Sequence, residues 1–372
     1  MALFSRALST TFHRTHHLRL APLSFVCRKM SSIPTERKAI GINKTGDFEV
    51  IEKVTVPLKV NAGDIVVKTE YLGINFIDTY YRKGLYPVKE FPAVIGTEAA
   101  GTILALPTDP AVLEDPQYKK RGFTVGAKVA CGGGGVFGLH ADHVSIGWKS
   151  VQVLPEGIST KIGAAALLQG LTALTFIEEA HKVKQGETIL VHTVAGGLGL
   201  LFAQLIKARG ATVIGTTSTK EKAELAKANG ADHVILYKEE DTVQRVLDLT
   251  NGEGVDAVFD GVGKDTFDSN FKMLKRKGTL VSVGNASGAV PPFAPIRLVE
   301  KNLKLLRPTV GNYAVTPEEI HHYSSELYRL VADGSLKIKV HKEYPFTREG
   351  AIQAQQDLTG GKSTGKLLIK VE

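Results

Sequence analysis

Three glycines within four residues, Gly196, Gly197 and Gly199, stand between the apolar run "TILVHTV" and the amphipathic run "LGLLFAQLIKARG". A turn of this kind, placed where a buried strand feeds a helix, can cradle a pyrophosphate. The first helical N–H groups are unpaired and carry partial positive charge. Gly196, Gly197 and Leu198 would offer backbone to the phosphates, and Gly199 would let the helix pack closely on the strand. The spacing is Thr193-x-x-Gly196-x-x-Gly199 rather than the full G-x-G-x-x-G, so the weight falls on its location. The alternative is a ligand-free corner.

The end of the next apolar run indicates which dinucleotide would fit. An NAD site places Asp or Glu there to accept from the ribose hydroxyls, whereas this chain has Thr216, Thr217 and Ser218, followed by Lys220 and Lys222. Hydroxyl and ammonium groups at a helix start suit a 2′-phosphate, which a carboxylate would repel, and NADPH is therefore expected. Lys222 is the preferred phosphate ligand; the alternative is an ordinary surface helix.

Other chemistry-bearing residues read more weakly. His192 follows the first strand and is expected to order the turn. In "GLHADHV" a strand would put His140 and Asp142 on one side and His143 on the other, which rules out one shared ion. His321 and His322 lie in a helical pattern and receive no role.

The elements that must position these residues follow from periodicity. From about Glu187 onward, six short apolar runs alternate with helical patterns, "KDTFDSNFKMLKRKG" and "APIRLVEKN" among them. This is the signature of an α/β doubly wound parallel sheet covered on both faces, the Rossmann arrangement. The N-terminal half instead shows short alternating strands and turns, "AIGIN", "FEVIEKVTVPL", "DIVVKTEYLGIN", "VIGTEAAGTILAL" and "AKVACGG", and implies a separate β-rich module.

Composition bounds the alternatives. The chain has 372 residues, 43% hydrophobic and 23% charged, enough for two domains, with no window of about 18 unbroken apolar residues, so no membrane insertion is expected. Residues 1 to 35 contain no acid and hold Arg6, Arg14, Arg19, Arg28 and Lys29 among Ser, Thr and Leu, the composition of a mitochondrial presequence. Taking those five charges from the net +8 leaves +3 for the rest, which weakens a nucleic-acid reading. Residues 1–29 are read as the presequence of a matrix protein, with a second, cytosolic form starting at Met30. The two cysteines, Cys27 and Cys131, support no disulfide framework and no thiolate zinc cage.

The segment Gly73 to Gly101, taken with "LLQGLTALTF", "HTVAGGLGLLFAQLIKARGA", "DGVGKDTFDSNFKMLKRKGTLVSVGNASG" and "GKSTGKLLI", resembles the zeta-crystallin-like NADPH:quinone oxidoreductases of the medium-chain dehydrogenase/reductase superfamily. The resemblance runs from about Lys38 to the C-terminus. It implies a GroES-like catalytic domain over 36–158 and 309–372 around a Rossmann domain over 159–308, with the nicotinamide and substrate in the cleft between them. Zinc-dependent members carry a Cys and a His where this chain has Asn75 and Thr97, so no catalytic zinc is expected.

By the same resemblance, Asn75, Asp78, Tyr80 and Tyr86 line the substrate cleft, with Tyr86 or Asn75 donating to the oxygen that gains charge. Thr172 lies near the carboxamide, Gly196 to Leu198 on the pyrophosphate, and Ser218, Lys222 and Tyr237 around the 2′-phosphate. Gly261 and Asn285 follow the ribose and nicotinamide, and Lys362 closes from the C-terminal side. The expected reaction is NADPH-dependent reduction of a small-molecule quinone, with alkenal or enone reduction as the near variant. A homodimer through the "LVSVGNASG" region and an additional AU-rich RNA-binding role are also implied by relatives. Two departures stand out: the histidines of "GLHADHV", and the longer segment Pro107 to Gly122, expected to be an ordered, exposed loop.

Overall fold

A computed structural model of the chain describes residues 33–133 and 135–372. The segment expected to be a presequence, Cys27 and the expected alternative start at Met30 lie outside the described residues. The first half forms strands β1 (Glu36–Ile42), β2 (Ile51–Pro57), β3 (Asp64–Ile74), β4 (Ala93–Val94), β5 (Glu98–Ala105), β6 (Lys128–Gly132), β7 (His143–Gly147) and β8 (Val151–Val153). The second half adds β9 (Thr188–Val191), β10 (Thr212–Thr217), β11 (His233–Leu236), β12 (Val255–Asp260), β13 (Leu274–Ser282) and β14 (Lys304–Leu306), and the C-terminus adds β15 (Val340–Pro345) and β16 (Lys366–Lys370).

Strands β9 to β14 pair in the order β11-β10-β9-β12-β13-β14, every pair parallel. They read as near-continuous Val, Ile and Leu because helices cover both faces. The order reverses at β9, between β10 and β12, and the carboxyl ends of strands at such a switch point open a ligand crevice. The remaining strands form a sheet of order β2-β1-β4 and a mainly antiparallel sheet β15-β16-β3-β5-β6-β8, with β7 also on β3. The C-terminal strand β16 pairs with β3, Leu367 opposite Ile74, and so returns the end of the chain to the β-rich module.

The helix Thr160–Thr175, capped by Ser159 and prolonged by a π-turn over Phe176–Ala180, packs on β5 and β6 on one side and on the helix Gly197–Ala208 on the other. Among the described residues it is the one helix long and apolar enough to cross a membrane, yet most of it is buried in the core. Its Ala-rich sequence suits close packing between a sheet and a second helix, which explains its apolarity without a bilayer.

Several local expectations change. "APIRLVEKN" forms only one 3₁₀ turn, Pro295–Leu298, because Pro291, Pro292 and Pro295 withhold N–H donors and disfavour helix in the residues before them. The helix in "KDTFDSNFKMLKRKG" stops at Met273, and β13 starts at Leu274, whose buried side chain sits opposite Val255. The strand in "HADHVSI" begins only at His143. The Pro107 to Gly122 segment is not a simple exposed loop: it folds into short helices Pro110–Glu114 and Pro116–Lys120, capped by Asp109 and Asp115. Tyr118 is buried against Phe123 and Trp148, and Arg121 donates to Gln152 Oε1 and the Pro317 carbonyl.

Candidate active site

A cleft of about 520 Å³ runs along the carboxyl ends of β9, β10 and β12 and is closed on the other side by the helix Phe76–Arg82 and its flanks. Gly196 is the N-cap of the helix Gly197–Ala208 and gives no side-chain cap, so the first N–H groups remain open toward the cleft. A Cβ on Gly199 would collide with the Thr193 carbonyl and Val194 backbone, and one on Gly197 would meet the Gln169 amide. Both positions are packed too closely to admit a side chain without movement. Thr193 itself adopts φ 54°, which turns the chain sharply out of β9.

His192 is a strut. Its Nδ1 lies 3.0 Å from Thr216 Oγ1 and its Nε2 lies 2.8 Å from Asn270 Oδ1, while Asn270 Nδ2 donates to Asp260 Oδ2 at 2.8 Å. Buried Asp260 also accepts from the N–H groups of Val262 and Gly263, which shapes the loop that carries Gly261 into the cleft. Thr216 is consumed by this network, leaving Thr217 and Ser218 to face the cleft.

Thr172, Gly196, Gly197, Leu198, Gly199, Ser218, Lys222, Tyr237 and Gly261 all line one continuous surface. Lys222 Nζ donates to the Gly361 carbonyl at 2.5 Å, and burial, helped by nearby Lys238, lowers its pKa. A phosphate dianion would offset the mutual repulsion of these two ammonium groups, and the open helix N-terminus and glycine turn fit a diphosphate. Lys362 does not line the cleft; its neighbours Gly361 and Ser363 do. Asn285 contributes through its backbone, whose N–H donates to Tyr80 Oη at 2.9 Å.

On the opposite wall, Asn75, Tyr80 and Tyr86 reach the cleft. The Tyr86 ring meets Tyr80 and Tyr81 edge-on at centroid distances of 5.5 and 5.6 Å, and Tyr81 stacks at 4.2 Å on Phe137. These rings form an apolar face for a flat acceptor. Burial raises the Tyr80 pKa, so its phenol keeps its proton at neutral pH. The helix that carries Tyr80 and Tyr81 is fixed at its far end by buried Arg82, whose Nε donates to Gln355 Oε1 and whose Nη1 donates to the Gly46 carbonyl.

Asp78 departs from its expected placement, and Asn75 lines the cleft as expected but with its side chain already paired. Asp78 is fully buried behind the wall, where Oδ2 accepts the Asn75 N–H at 2.7 Å and Oδ1 accepts from Thr97 Oγ1 at 3.2 Å. The Asn75 amide is already engaged: Oδ1 accepts from Lys366 Nζ at 2.7 Å, and Nδ2 donates to Glu98 Oε2 at 3.0 Å and to the Gly73 carbonyl at 3.3 Å. Asn75 therefore shapes the cleft rather than offering a free donor to a substrate oxygen.

The buried Lys366–Glu98 pair, 2.5 Å apart, was not among the expected site residues. Glu98 Oε1 also accepts the Leu168 N–H, which joins β5, β16 and the core helix beneath the cleft. Thr97, Gln169, Phe176, Tyr81, Val136 and Arg307 likewise line the cleft without having been singled out for it. Only "GTE" and "GKSTGKLLI" hinted at the pair, because its partners lie 268 residues apart. Gly133, Gly135 and Val136 bring the glycine loop to the cleft edge, and burial pushes the adjoining Cys131 thiol up to about 12, far from thiolate chemistry.

These side chains do not fit a zinc ion. An amide, a hydroxyl and an ammonium group stand at the centre, and among the described residues no three His, Cys, Asp or Glu side chains converge. His140 donates from Nε2 to the Gly73 carbonyl at 3.1 Å, and His143 contacts Asp142, so the two histidines serve different neighbours.

Comparison with known proteins places this architecture. An alcohol dehydrogenase GroES-like domain model matches residues 61–156, and a zinc-binding dehydrogenase model matches residues 197–327. A probable quinone oxidoreductase of Schizosaccharomyces pombe is 38% identical over 331 residues, 89% of this chain and 96% of the relative. A 2-haloacrylate reductase of a Burkholderia species is 35% identical over 311 residues, 81% of this chain and 89% of the relative. The crystal structure of Escherichia coli quinone oxidoreductase complexed with NADPH superposes with a TM-score of 0.83 at 35% identity, covering 90% of this chain and all of that one. With both domain models matched in order and near-complete coverage of its relatives, the chain belongs to the quinone oxidoreductase family of the medium-chain dehydrogenase/reductase superfamily.

Proposed function

We propose that the protein is an NADPH:quinone oxidoreductase that works without a metal. The observation that carries this reading is the continuity of one cleft from the Lys222 end, through the open helix N-terminus at Gly196, to the aromatic wall of Tyr80, Tyr81 and Tyr86. When bound there, NADPH supplies hydride. The chain's part is to hold a flat acceptor against the nicotinamide, exclude bulk water and present donors where charge grows. Tyr80 and Tyr86 are the phenols placed to do so. Steady-state NADPH oxidation with ortho-quinones, para-quinones and enals tests the reading directly; absence of turnover with every quinone would remove it.

Reduction of conjugated alkenes is a second reading, favoured by the similarity to the 2-haloacrylate reductase, because the same hydride can be delivered to an activated carbon. The exposed Ile296 and Val299 beside edge strand β14 support a homodimer through this side of the parallel sheet. The basic, acid-free residues 1–29 support import into the mitochondrial matrix, with a Met30 start as the source of a cytosolic form. Recovery of intact N-terminal peptides from mature mitochondrial protein would contradict that location. We assign no RNA-binding role, since the basic excess lies largely in that segment.

A further inference from the structure

Two-electron reduction of a quinone by hydride leaves a hydroquinone anion, which needs one proton. Among the described residues the Tyr80 and Tyr86 phenols have no carboxyl group hydrogen-bonded behind them to replace a lost proton, and Asn75 is already engaged. Thr97 is different: it lines the cleft on one side, and its hydroxyl lies 3.2 Å from Asp78 Oδ1 on the other. We propose that Thr97 is the proton donor to the reduced quinone and that Asp78 is the positioning residue behind it that holds the proton in reserve. This rests on the quinone-reductase reading.

The geometry assigns the proton on Asp78 to a single oxygen. Oδ2 already accepts the Asn75 N–H at 2.7 Å, so an acid proton sits on Oδ1, facing Thr97. With Asp78 ionised, Thr97 donates inward; with Asp78 in its acid form the contact reverses and the Thr97 hydrogen is free to point into the cleft.

Full burial favours the acid form of Asp78, against the charges of His140 and Lys366. Lys366 of β16 and Glu98 of β5 neutralise each other at 2.5 Å, so an ionised Asp78 would leave net negative charge beneath the place where an oxyanion forms. His140, from the segment before β7, has its Nε2 committed to the Gly73 carbonyl and, among the described residues, no hydrogen-bond partner for its Nδ1; Tyr81 is near Asp78 on the same helix. Burial raises the Asp78 pKa, against the opposing pulls of His140, the Asn75 N–H, Lys366 and Thr97.

The step balances as follows. The quinone gains hydride and with it both electrons. The Thr97 O–H bond breaks toward the hydroquinone oxygen while the Asp78 Oδ1–H bond breaks toward Thr97 Oγ1. The hydroxyl is restored, a carboxylate remains, and the neutral hydroquinone leaves. Water entering the cleft returns one proton by the reverse route.

Infrared spectroscopy of the ligand-free protein tests the stored proton. The carbonyl stretch of a protonated buried carboxyl should be present at neutral pH, fade as pH rises through the raised pKa, and vanish in Asp78→Asn. That variant keeps an acceptor for the Asn75 N–H and a contact to Thr97 but cannot release a proton. Quinone turnover should fall over the same rise in pH, and Asp78→Asn should lose that limb. Thr97→Val should lower kcat about tenfold with the NADPH dissociation constant unchanged, and Thr97→Ser should recover to within about threefold. A missing carbonyl band in an active protein, or Thr97→Val as fast as the parent, overturns the proposal. Should Asp78→Asn fail to fold, the Thr97 pair and the parent's spectrum still decide. Failure of the parent protein to reduce any quinone would instead defeat the quinone reading and leave the infrared result standing.

Discussion

The phenol oxygen of Tyr80 accepts a hydrogen bond from the backbone N–H of Asn285 at 2.9 Å, tying the helix Phe76–Arg82 to the loop that follows β13. One element belongs to the β-rich module and the other to the parallel sheet, so the bond spans the cleft. Because the oxygen accepts here, its own hydrogen points elsewhere, and Tyr80 lines the cleft.

Removing that oxygen should loosen the cleft and delete a donor. Tyr80→Phe is expected to lower kcat/KM for quinone about tenfold and to leave the Asn285 N–H without its partner. Steady-state kinetics with a parallel measurement of NADPH affinity checks this; parent values for both would mean the bond is incidental.

The Tyr86 phenol makes no hydrogen bond among the described residues, and its ring meets those of Tyr80 and Tyr81 edge-on. Tyr86→Phe should keep the packing and cost about tenfold, in kcat more than in KM, since water in an open cleft replaces part of a lost donor. Stopped-flow measurement of the hydride step with 4-deuterated NADPH reads the effect. An unchanged rate with the isotope effect intact would reduce Tyr86 to a shape-giving residue.

Cofactor choice should rest on Lys222. NADPH is expected to bind at least about tenfold tighter than NADH, because a charge-assisted contact contributes about 1.5 kcal/mol or more. Lys222→Ala should erase most of the difference in equilibrium titrations, and equal affinities in the unmodified protein would refute the assignment.

Lys366 and Glu98 are both fully buried, so truncating one strands the other. Lys366→Ala should destabilise the fold by about 3–5 kcal/mol, read from denaturant unfolding. A change below about 1 kcal/mol would show that water or a relocated side chain compensates.

Activity should survive metal removal. With Asn75, Thr97 and the Lys366 ammonium group at the centre of the site, prolonged chelation is expected to leave turnover intact. Elemental analysis that found one zinc per chain, lost together with activity, would reverse this.

The nucleotide half was legible in the residues. Parallel strands buried on both faces need continuous apolar runs, and a helix that starts against a phosphate needs small residues, so "TILVHTV" and Gly196 to Gly199 announce themselves over a window of about fifteen residues. Ser218 and Lys222 follow from the same local logic. The antiparallel strands of the first half were also visible, but not their partners.

What lies beneath the cleft was not legible, for a physical reason. Asn75, Thr97, Glu98 and Lys366 meet because β16 pairs with β3 and β5 lies beside β3, contacts that join positions up to 291 residues apart. No periodicity within one segment carries that information. Sequence marks Asn75 and Asp78 as polar residues near a cleft; tertiary pairing decides that the Asn75 amide is spent on a buried ion pair and that Asp78 stands behind Thr97 rather than in the cleft. Likewise the resemblance has Lys362 closing over the cofactor from the C-terminal side, yet the path of the chain brings Gly361 and Ser363 to the cleft surface. Residue type sets which interactions a side chain can make, and the long-range strand register sets which of them it does make.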